Sequence, residues 1–142
     1  MKTENPRSFR DSQPPPARRA KDFKLTLEAQ PYGGAVVLHC AGRLIFRDEA
    51  HALSTMLGAV LPTARKMVVD LAGVESVDSA GLGELVLLHM WAEAAGYSLK
   101  LACPNPSVRH LLELTNLVSV LDVYSSVADA VSAMRHEELL LA

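Results

Sequence analysis

The pair Asp78-Ser79 places a carboxylate beside a hydroxyl where a glycine-containing stretch leads into a long apolar run. A serine at the start of a helix faces unpaired N–H groups and the positive end of the helix dipole, which favour a phosphate. Phosphorylation of Ser79 would add about −1.5 to −2 charges to a surface of small and apolar residues, close to Asp78. On spacing alone, the simpler interpretation is that Asp78 or Ser79 is a helix N-cap, contributing about 1 kcal/mol.

No catalytic or cofactor-binding pattern accompanies this pair. The S-x-G part of a nucleophile elbow begins at Ser79, but Val77 replaces the glycine that should precede it. The sequence has no GxxxxGK or GxGxxG phosphate loop, and Cys40 and Cys103 occur singly, without the spacing of a metal site. Five histidines fit no spacing that pairs one of them with Ser79 and an orienting acid: His39, His51, His89, His110 and His136. We therefore expect no catalytic residue, no metal and no cofactor, and we do not expect an enzyme.

Asp70 closes a predicted buried strand, the position at which a phosphorelay receiver domain carries its phosphoaspartate. Receiver chemistry also needs an acidic cluster after the first strand and a lysine after the last one, to hold Mg²⁺ and the phosphoryl group. Neither feature is present in the sequence. The receiver class is therefore set aside.

The first 22 residues differ in composition from the rest of the chain. They contain Pro6, a proline run at 14–16, six basic residues and three acidic ones, with hardly any large apolar residue. Because such a segment cannot offset its ordering entropy by burial, residues 1–22 are predicted to form a disordered leader. A weak docking arm is the alternative.

Charge and hydropathy limit the kinds of partner. The leader carries a net charge of +3 and the whole chain −2, so residues 23–142 carry −5. An acidic body is unsuited to nucleic acid, whose phosphates attract a basic face. No apolar run approaches the roughly 18–20 residues that cross a bilayer, and the basic N-terminus lacks the hydrophobic stretch of a secretory signal. We expect a cytoplasmic protein without membrane insertion.

Apolar periodicity predicts alternating strands and helices, and hence an α/β domain over residues 23–138 with a tail at 139–142. Strands are predicted at 23–28, 35–41, 66–71 and 98–103, with a short edge strand within 118–123. Helices are predicted from Asp48 to a stop at Pro62, over 82–95, from Pro106 after an N-cap at Asn105, and onward from Ser125-Ser126. Gly33-Gly34 is typical of a hairpin turn, and the stretch after residue 71 is predicted to be a loop over the rim of the sheet.

The predicted helix at 82–95 is apolar almost all the way round. A helix on one face of a sheet should keep a wide polar stripe, but only Glu84, His89 and Glu93 interrupt its apolar surface. Either neighbouring helices cover both flanks, or part of the helix, near Leu87 and Trp91, is a surface for a protein partner.

Residues 70–86 read D-L-A-G-V-E-S-V-D-S-A-G-L-G-E-L-V. This run resembles the signature of the STAS domain in bacterial anti-sigma-factor antagonists, D-L-S-G-V followed by D-S-S-G-L-G. Residues 96–101 resemble the family's G-G-x-L-x-L strand, 108–114 its third helix and 116–131 its C-terminal part. The resemblance implies a single STAS-like domain, with a mixed sheet of four to five strands and about four helices packed mainly on one face.

The resemblance also assigns roles to residues of the motif. The family's phosphorylated serine follows the motif aspartate, and that residue is Ser79 here. Ala80 stands where many members have a second serine or threonine, so Ser79 is the one hydroxyl left at the helix start; Ala72 likewise replaces a serine. The partner-binding surface implied in this way comprises Asp78, Ser79, Ala80, Gly81, Leu82 and Gly83, with Leu87 and Trp91 from the following helix.

A function follows from the same resemblance. Such a protein binds an anti-sigma factor, often a serine kinase with a GHKL-type ATP fold, and thereby frees a sigma factor. Phosphorylation at Ser79 then ends the binding, and a phosphatase restores it. The alternative within the same fold is a STAS subunit that regulates a lipid-transport ABC system or another transporter without phosphorylation. The string D-S-A-G-L-G-E-L-V favours the sigma-regulatory branch.

Overall fold

A computed structural model describes residues 25–141, so the predicted leader at 1–22 lies outside the described residues. The strands are β1 (Thr26–Tyr32), β2 (Ala35–Leu44), β3 (Lys66–Val77), β4 (Ser98–Ala102) and β5 (Val123–Tyr124). The helices are α1 (Phe46–Ala64), α2 (Ser79–Ala95), α3 (Pro106–Leu114) and α4 (Val127–Leu141), with a 3₁₀ turn at Leu117–Ser119. After the first hairpin, strands and helices alternate as the apolar periodicity predicted.

The strands form one mixed sheet in the order β1-β2-β3-β4-β5. β1 and β2 are antiparallel and are joined by a two-residue turn in which Gly33 and Gly34 have φ angles of 56° and 86°. Only glycine adopts such angles freely at both positions, so the predicted hairpin turn is confirmed. The other neighbours pair in parallel, which places the carboxyl ends of β2, β3 and β4 at one edge of the sheet. The predicted α/β class with a mixed sheet is confirmed.

Three helices cover one face of the sheet and one helix covers the other. α1, α2 and α3 bury the main core, which includes Leu38, Val69 and Leu101 of the inner strands. α4 packs on the opposite face over a smaller cluster that includes Val37 and Val68. Successive residues of an inner strand therefore point into different cores, as a sheet covered on both faces requires. The prediction that the helices pack mainly on one face is confirmed.

β3 continues to Val77, beyond its predicted end at residue 71, so the predicted loop at 72–77 is wrong. Leu71, Val74 and Val77 are buried, and their spacing is three residues rather than two. The register with β2 shifts twice, and at each shift β3 contains one residue more than β2. Such bulges depend on the partner strand and break the alternation that marks a strand in a sequence.

The ends of α1 and α2 also differ from the predictions. The N-cap residue of α1 is Ile45, so the predicted cap at Asp48 is wrong; Asp48 lies in the first turn, where its charge suits the helix dipole. α1 continues past Pro62 to Ala64, so the proline does not stop the helix at once. α2 begins at Ser79, three residues before its predicted start at 82.

The C-terminal part contains less strand than predicted. The edge strand expected within 118–123 is replaced by the 3₁₀ turn and by the two residues of β5. α4 follows Ser126, whose Oγ accepts a hydrogen bond from the Asp129 N–H at 3.0 Å, as the side chain of a helix N-cap does. α4 continues to Leu141, so the division made at 138 falls inside a helix. Within residues 25–141, no helix combines the length and the apolar character needed to cross a bilayer.

Candidate functional site

The first turn of α2 shows which residue caps the helix. The Asp78 carboxylate accepts a hydrogen bond from the Gly81 N–H at 2.9 Å, and the Asp78 N–H donates to the Leu44 carbonyl at 3.3 Å. Asp78 is therefore the N-cap, and Ser79 is the first helical residue. The Ser79 side chain is exposed and makes no hydrogen bond to any residue between 25 and 141. Because Asp78 caps α2, the Ser79 hydroxyl is not needed to cap the helix.

Gly81 holds the start of α2 against the sheet. This residue is buried, and a Cβ atom here would overlap the Leu44 carbonyl oxygen and lie 2.9 Å from Val77 Cγ1. Only a residue without a side chain allows the helix backbone to touch the end of β2 so closely. The contact places Ser79 at the rim of the sheet, beside the carboxyl ends of the parallel strands.

The predicted partner-binding residues differ in their exposure. Ser79, Ala80, Gly83, Leu87 and Trp91 are exposed, Asp78 and Leu82 are half-buried, and Gly81 is buried. A Cβ atom on Gly83 would meet no other atom within 4 Å, so this glycine faces open space. Leu82 packs against the main core. Gly81 and Leu82 thus support the helix start, while the exposed members of the set form its outer surface.

An apolar patch lies on the outer side of α2. Leu87 is 61% exposed, Met90 is 58% exposed and Trp91 is 37% exposed. Helices within the described part of the chain leave all three accessible, which favours the second of the two alternatives for this helix. Met90 was absent from the predicted partner-binding residues, although it belongs to the helix at 82–95 that was noted as apolar almost all the way round. Grouped exposed apolar side chains of this size are typical of interaction sites.

The ring of Trp91 is positioned by its neighbours. Trp91 and Tyr97 make an edge-to-face contact, with ring centroids 5.6 Å apart and an interplanar angle of 72°. The guanidinium carbon of Arg65 lies 5.8 Å from the centroid of the Tyr97 ring. Edge-to-face contacts of this kind stabilise the arrangement of the two rings, so Tyr97 supports Trp91 at the surface.

A groove between α1 and α2 connects Ser79 with Trp91, and we call it the α1–α2 groove. Beside Ser79 it has a volume of about 310 Å³, and toward Trp91 it continues as a depression of about 300 Å³. Both parts are lined by Glu84 and Leu87. α1 contributes further lining residues, namely Ala50, His51, Ser54 and Gly58. No sequence pattern marks these α1 residues, because the two helices meet only in the folded chain.

Asp70 is held by hydrogen bonds, and the thiols of Cys40 and Cys103 have raised pKa values. Asp70 accepts hydrogen bonds from the His39 ring at 2.7 Å and from the Ala72 N–H at 3.0 Å. Burial, together with the charge of Asp70, raises the pKa of the Cys40 thiol to about 12. Burial likewise raises the pKa of Cys103. Both thiols are therefore protonated and poorly nucleophilic at neutral pH.

Among the described residues, no group of three His, Cys, Asp or Glu side chains could hold a metal ion. The arrangement around Ser79 instead combines an accessible hydroxyl, a helix N-terminus and an apolar surface. Such an arrangement suits the binding of a protein, and its modification, better than a reaction on a small substrate.

The family model of the STAS domain matches residues 26–130, a segment that contains the whole sheet, α1, α2 and α3. This chain belongs to the STAS domain family. The resemblance of the motif at 70–86 is thereby confirmed. The matched segment includes the capped start of α2 and the α1–α2 groove.

Two relatives of this STAS protein come from Thermotoga species. A candidate anti-sigma factor antagonist of Thermotoga maritima is 32% identical over 72 residues, which are 51% of this chain and 64% of that protein. A homologue of that protein in Thermotoga neapolitana is 30% identical over 70 residues, which are 49% of this chain and 62% of the relative. The matches thus span slightly less than two thirds of the length of these relatives.

Solved structures share the fold of this STAS protein. An anti-sigma factor antagonist from Mycobacterium paratuberculosis has a TM-score of 0.67 at 26% identity, covering 79% of this chain and 95% of that one. The unphosphorylated antagonist SpoIIAA has a TM-score of 0.58 at 19% identity, covering 78% of this chain and 97% of its own. The murine anion transporter Slc26a9 has a TM-score of 0.68 at 16% identity, covering 84% of this chain and 24% of the transporter chain. The last two likenesses concern the fold alone, so antagonists and a transporter share this fold.

Proposed function

We propose that this STAS protein is an anti-sigma-factor antagonist, which binds an anti-sigma factor through the outer surface of α2 and is switched off by phosphorylation of Ser79. The names of its relatives support the general role. The expected partner is a serine kinase of the GHKL type, and a phosphatase reverses the switch. This role belongs to the cytoplasm, where sigma factors act.

The observation that carries the proposal is the position of Ser79. Its hydroxyl is exposed at the first residue of α2, it is not needed as a cap, and it borders the groove that leads to the apolar patch. A partner that covers this surface removes water from it. A phosphate on Ser79 would then be buried with Asp78 as its neighbour, and burying an unpaired charge costs several kcal/mol.

The chemistry of the switch requires no catalytic group from this chain. The kinase transfers the terminal phosphoryl group of ATP to Ser79 Oγ, which gives up its proton, and ADP leaves. The N–H groups of Ser79 and Ala80 have no acceptor within the helix, so they can stabilise the phosphate and keep the modified helix folded. Hydrolysis by the phosphatase returns the hydroxyl and releases inorganic phosphate. The protein is therefore a substrate and a binding module.

Binding of two Ser79 variants to the cognate anti-sigma factor tests the proposal. Ser79→Ala should bind as tightly as the native protein but should not dissociate when kinase and ATP are added. Ser79→Asp should bind at least about tenfold more weakly, a loss of about 1.4 kcal/mol. Titration calorimetry measures both affinities. Ser132→Asp is the matched control, because Ser132 is exposed on α4, away from this surface. Equal affinities of Ser79→Ala and Ser79→Asp would contradict the proposal.

Identifying the proteins captured from native cytoplasm distinguishes the proposed anti-sigma-factor antagonist from the transporter-regulating alternative. An anti-sigma factor bound to the native protein, with phosphate found on Ser79 by mass spectrometry, supports the proposed function. An ABC ATPase or a permease as the captured partner, with Ser79 unmodified, supports the transporter-regulating alternative instead.

A further inference from the structure

The chain enters the described domain close to the proposed binding surface. Leu25 is buried in the main core together with Leu44 and Val77. Thr26 pairs with Ala41, near the carboxyl end of β2, and its Oγ1 donates a hydrogen bond to the Ala41 carbonyl at 3.3 Å. The same end of the sheet carries the start of α2. The described part of the chain therefore begins, at Leu25, on the rim of the sheet where Ser79 lies.

The charges of this segment and of the two helices are opposite. Residues 1–24 contain seven basic and three acidic residues, a net charge of +4. α1 and α2 together contain four acidic residues and one basic residue, a net charge of −3 with histidines neutral. Glu84, half-buried in the α1–α2 groove, makes no ion pair with any residue between 25 and 141. The groove therefore presents a carboxylate that a basic segment can neutralise.

The shape of the groove suits an extended proline-containing peptide. Gly58 and Gly83 add no side chain to it, and a Cβ atom on either would meet nothing within 4 Å. A peptide backbone can therefore approach both helices closely. Leu87 and Trp91 form an apolar wall, and polyproline segments bind aromatic-lined grooves because they lose little conformational entropy on docking. The leader contains such a segment at 14–16.

The connecting chain is long enough to reach the groove. Eight residues separate the proline run from Leu25, and the nine Cα-to-Cα steps from Pro16 to Leu25 span about 28–30 Å in extended form. The distance along α2 from Ser79 to Trp91 is about 18 Å, at about 1.5 Å per residue. An extended connection of this length exceeds the length of α2 between Ser79 and Trp91 by about 10–12 Å, which is left to span from Leu25 to the start of α2.

We propose that residues 1–24 dock in the α1–α2 groove of their own chain, with the proline run against Trp91 and Arg18 and Arg19 near Glu84. Segments of low apolar content often order only on a binding surface, so a leader without its own core can bind in this way. A short tether gives the segment an effective concentration in the millimolar range, so a weak contact suffices to populate the docked state. The docked segment covers part of the surface proposed for the anti-sigma factor, which must displace it. That regulatory consequence rests on the proposed function; the docking does not.

Fluorescence of Trp91 measures the docking directly, because the chain contains one tryptophan. In the full chain, acrylamide should quench Trp91 about twofold more strongly when Pro14→Gly, Pro15→Gly and Pro16→Gly are combined, since an open groove exposes the ring. The combined variant Arg18→Glu and Arg19→Glu should show the same increase. The control Pro6→Gly, outside the run, should match the native protein. At about 1 M salt the native protein should resemble the charge variant, because the Debye length falls to about 3 Å.

Equal quenching of the native protein and both combined variants would overturn the inference. Shielding of Trp91 that disappears when the native protein is diluted would also overturn it, because the occupant of the groove would then be a second copy. The measurement uses no partner, so its outcome is independent of the binding results for Ser79→Ala and Ser79→Asp. If docking is observed, the combined proline variant should in addition bind the anti-sigma factor more tightly than the native protein.

Discussion

Gly81 and Gly83 lie two residues apart in the first turns of α2, one buried and the other exposed. A Cβ atom at 81 would overlap the Leu44 carbonyl oxygen, whereas a Cβ atom at 83 would meet nothing within 4 Å. The obstacle at 81 is backbone, which cannot move aside as a flexible side chain can. Gly81 is thus required because the packing of α2 against β2 leaves no room for a side chain. Gly83 has room for one, and its effect is to keep the surface of the helix flat.

Substitution of the two glycines by alanine should therefore have opposite effects on stability. Gly81→Ala should lower the free energy of unfolding by about 1–3 kcal/mol, because α2 must shift away from β2. Gly83→Ala should raise it by about 0.5–1 kcal/mol, because alanine loses less backbone entropy in a helix. Urea denaturation with an unchanged m-value measures both. Similar stabilities of the two variants would show that the close approach at Gly81 is not rigid.

At the scale of elements, α4 is attached to the sheet by a buried lysine. Lys100 of β4 is 2% exposed, and its ammonium group donates hydrogen bonds to Glu137 at 2.8 Å and to Asp122 at 3.3 Å. Burial alone would lower the pKa of Lys100, but the hydrogen bond to Glu137 and the charge of Asp122 together raise it above its usual value. Lys66 and Glu138 form a second pair at 2.7 Å, which is more exposed. Both ion pairs connect α4 to the sheet, but the cation of the Lys100 pair is buried and the Lys66 pair is more exposed.

Removing each glutamate of α4 should show this difference. Glu137→Ala should lower the free energy of unfolding by about 1–3 kcal/mol, since the buried Lys100 ammonium group then keeps only Asp122 as a hydrogen-bond partner. Glu138→Ala should cost less than about 1 kcal/mol, because exposed ion pairs contribute little. Chemical denaturation of the two variants provides the comparison, and added salt should affect the Glu138 pair more. A larger loss for Glu138→Ala would contradict the assignment of Lys100 as the buried anchor.

At the scale of the whole molecule, the main core contains an ionisable thiol. Cys40 is 4% exposed, and burial raises its pKa from 9.0 to about 12. The folded protein therefore keeps a proton that the unfolded chain releases above about pH 9. The contribution of Cys40 to stability is complete below that pH and is lost as the pH rises toward 12.

The stability of the native protein should accordingly fall with alkaline pH more steeply than that of Cys40→Ala. Between pH 9 and 12 the difference should grow by roughly 1.4 kcal/mol per pH unit. Urea denaturation of both proteins at several pH values measures it, and the comparison removes the effect of tyrosine and lysine titration, which both proteins share. Parallel pH profiles would indicate that Cys40 is accessible to water in the folded state.

Local signals in the sequence were enough for much of the fold. The turn at Gly33-Gly34 and the N-cap at Asn105, whose side chain accepts a hydrogen bond from the Val108 N–H at 2.7 Å, depend only on neighbouring residues. The alternation of apolar segments predicted the α/β class for the same reason. The motif at 70–86 identified the family and pointed to Ser79 as the residue to examine.

The tertiary structure decided the features that depend on residues distant in sequence. The bulges that extend β3 to Val77 exist only because β2 lies beside it. The backbone at the helix start decided that Asp78, and not Ser79, caps α2. The packing of α1 decided that Leu87 and Trp91 are not covered. Hydrogen-bond capping and turn formation act over a few residues, whereas strand register and helix burial are set by partners tens of residues away. The place of Ser79 in the motif was readable from the sequence, whereas its exposure and its surroundings required the folded chain.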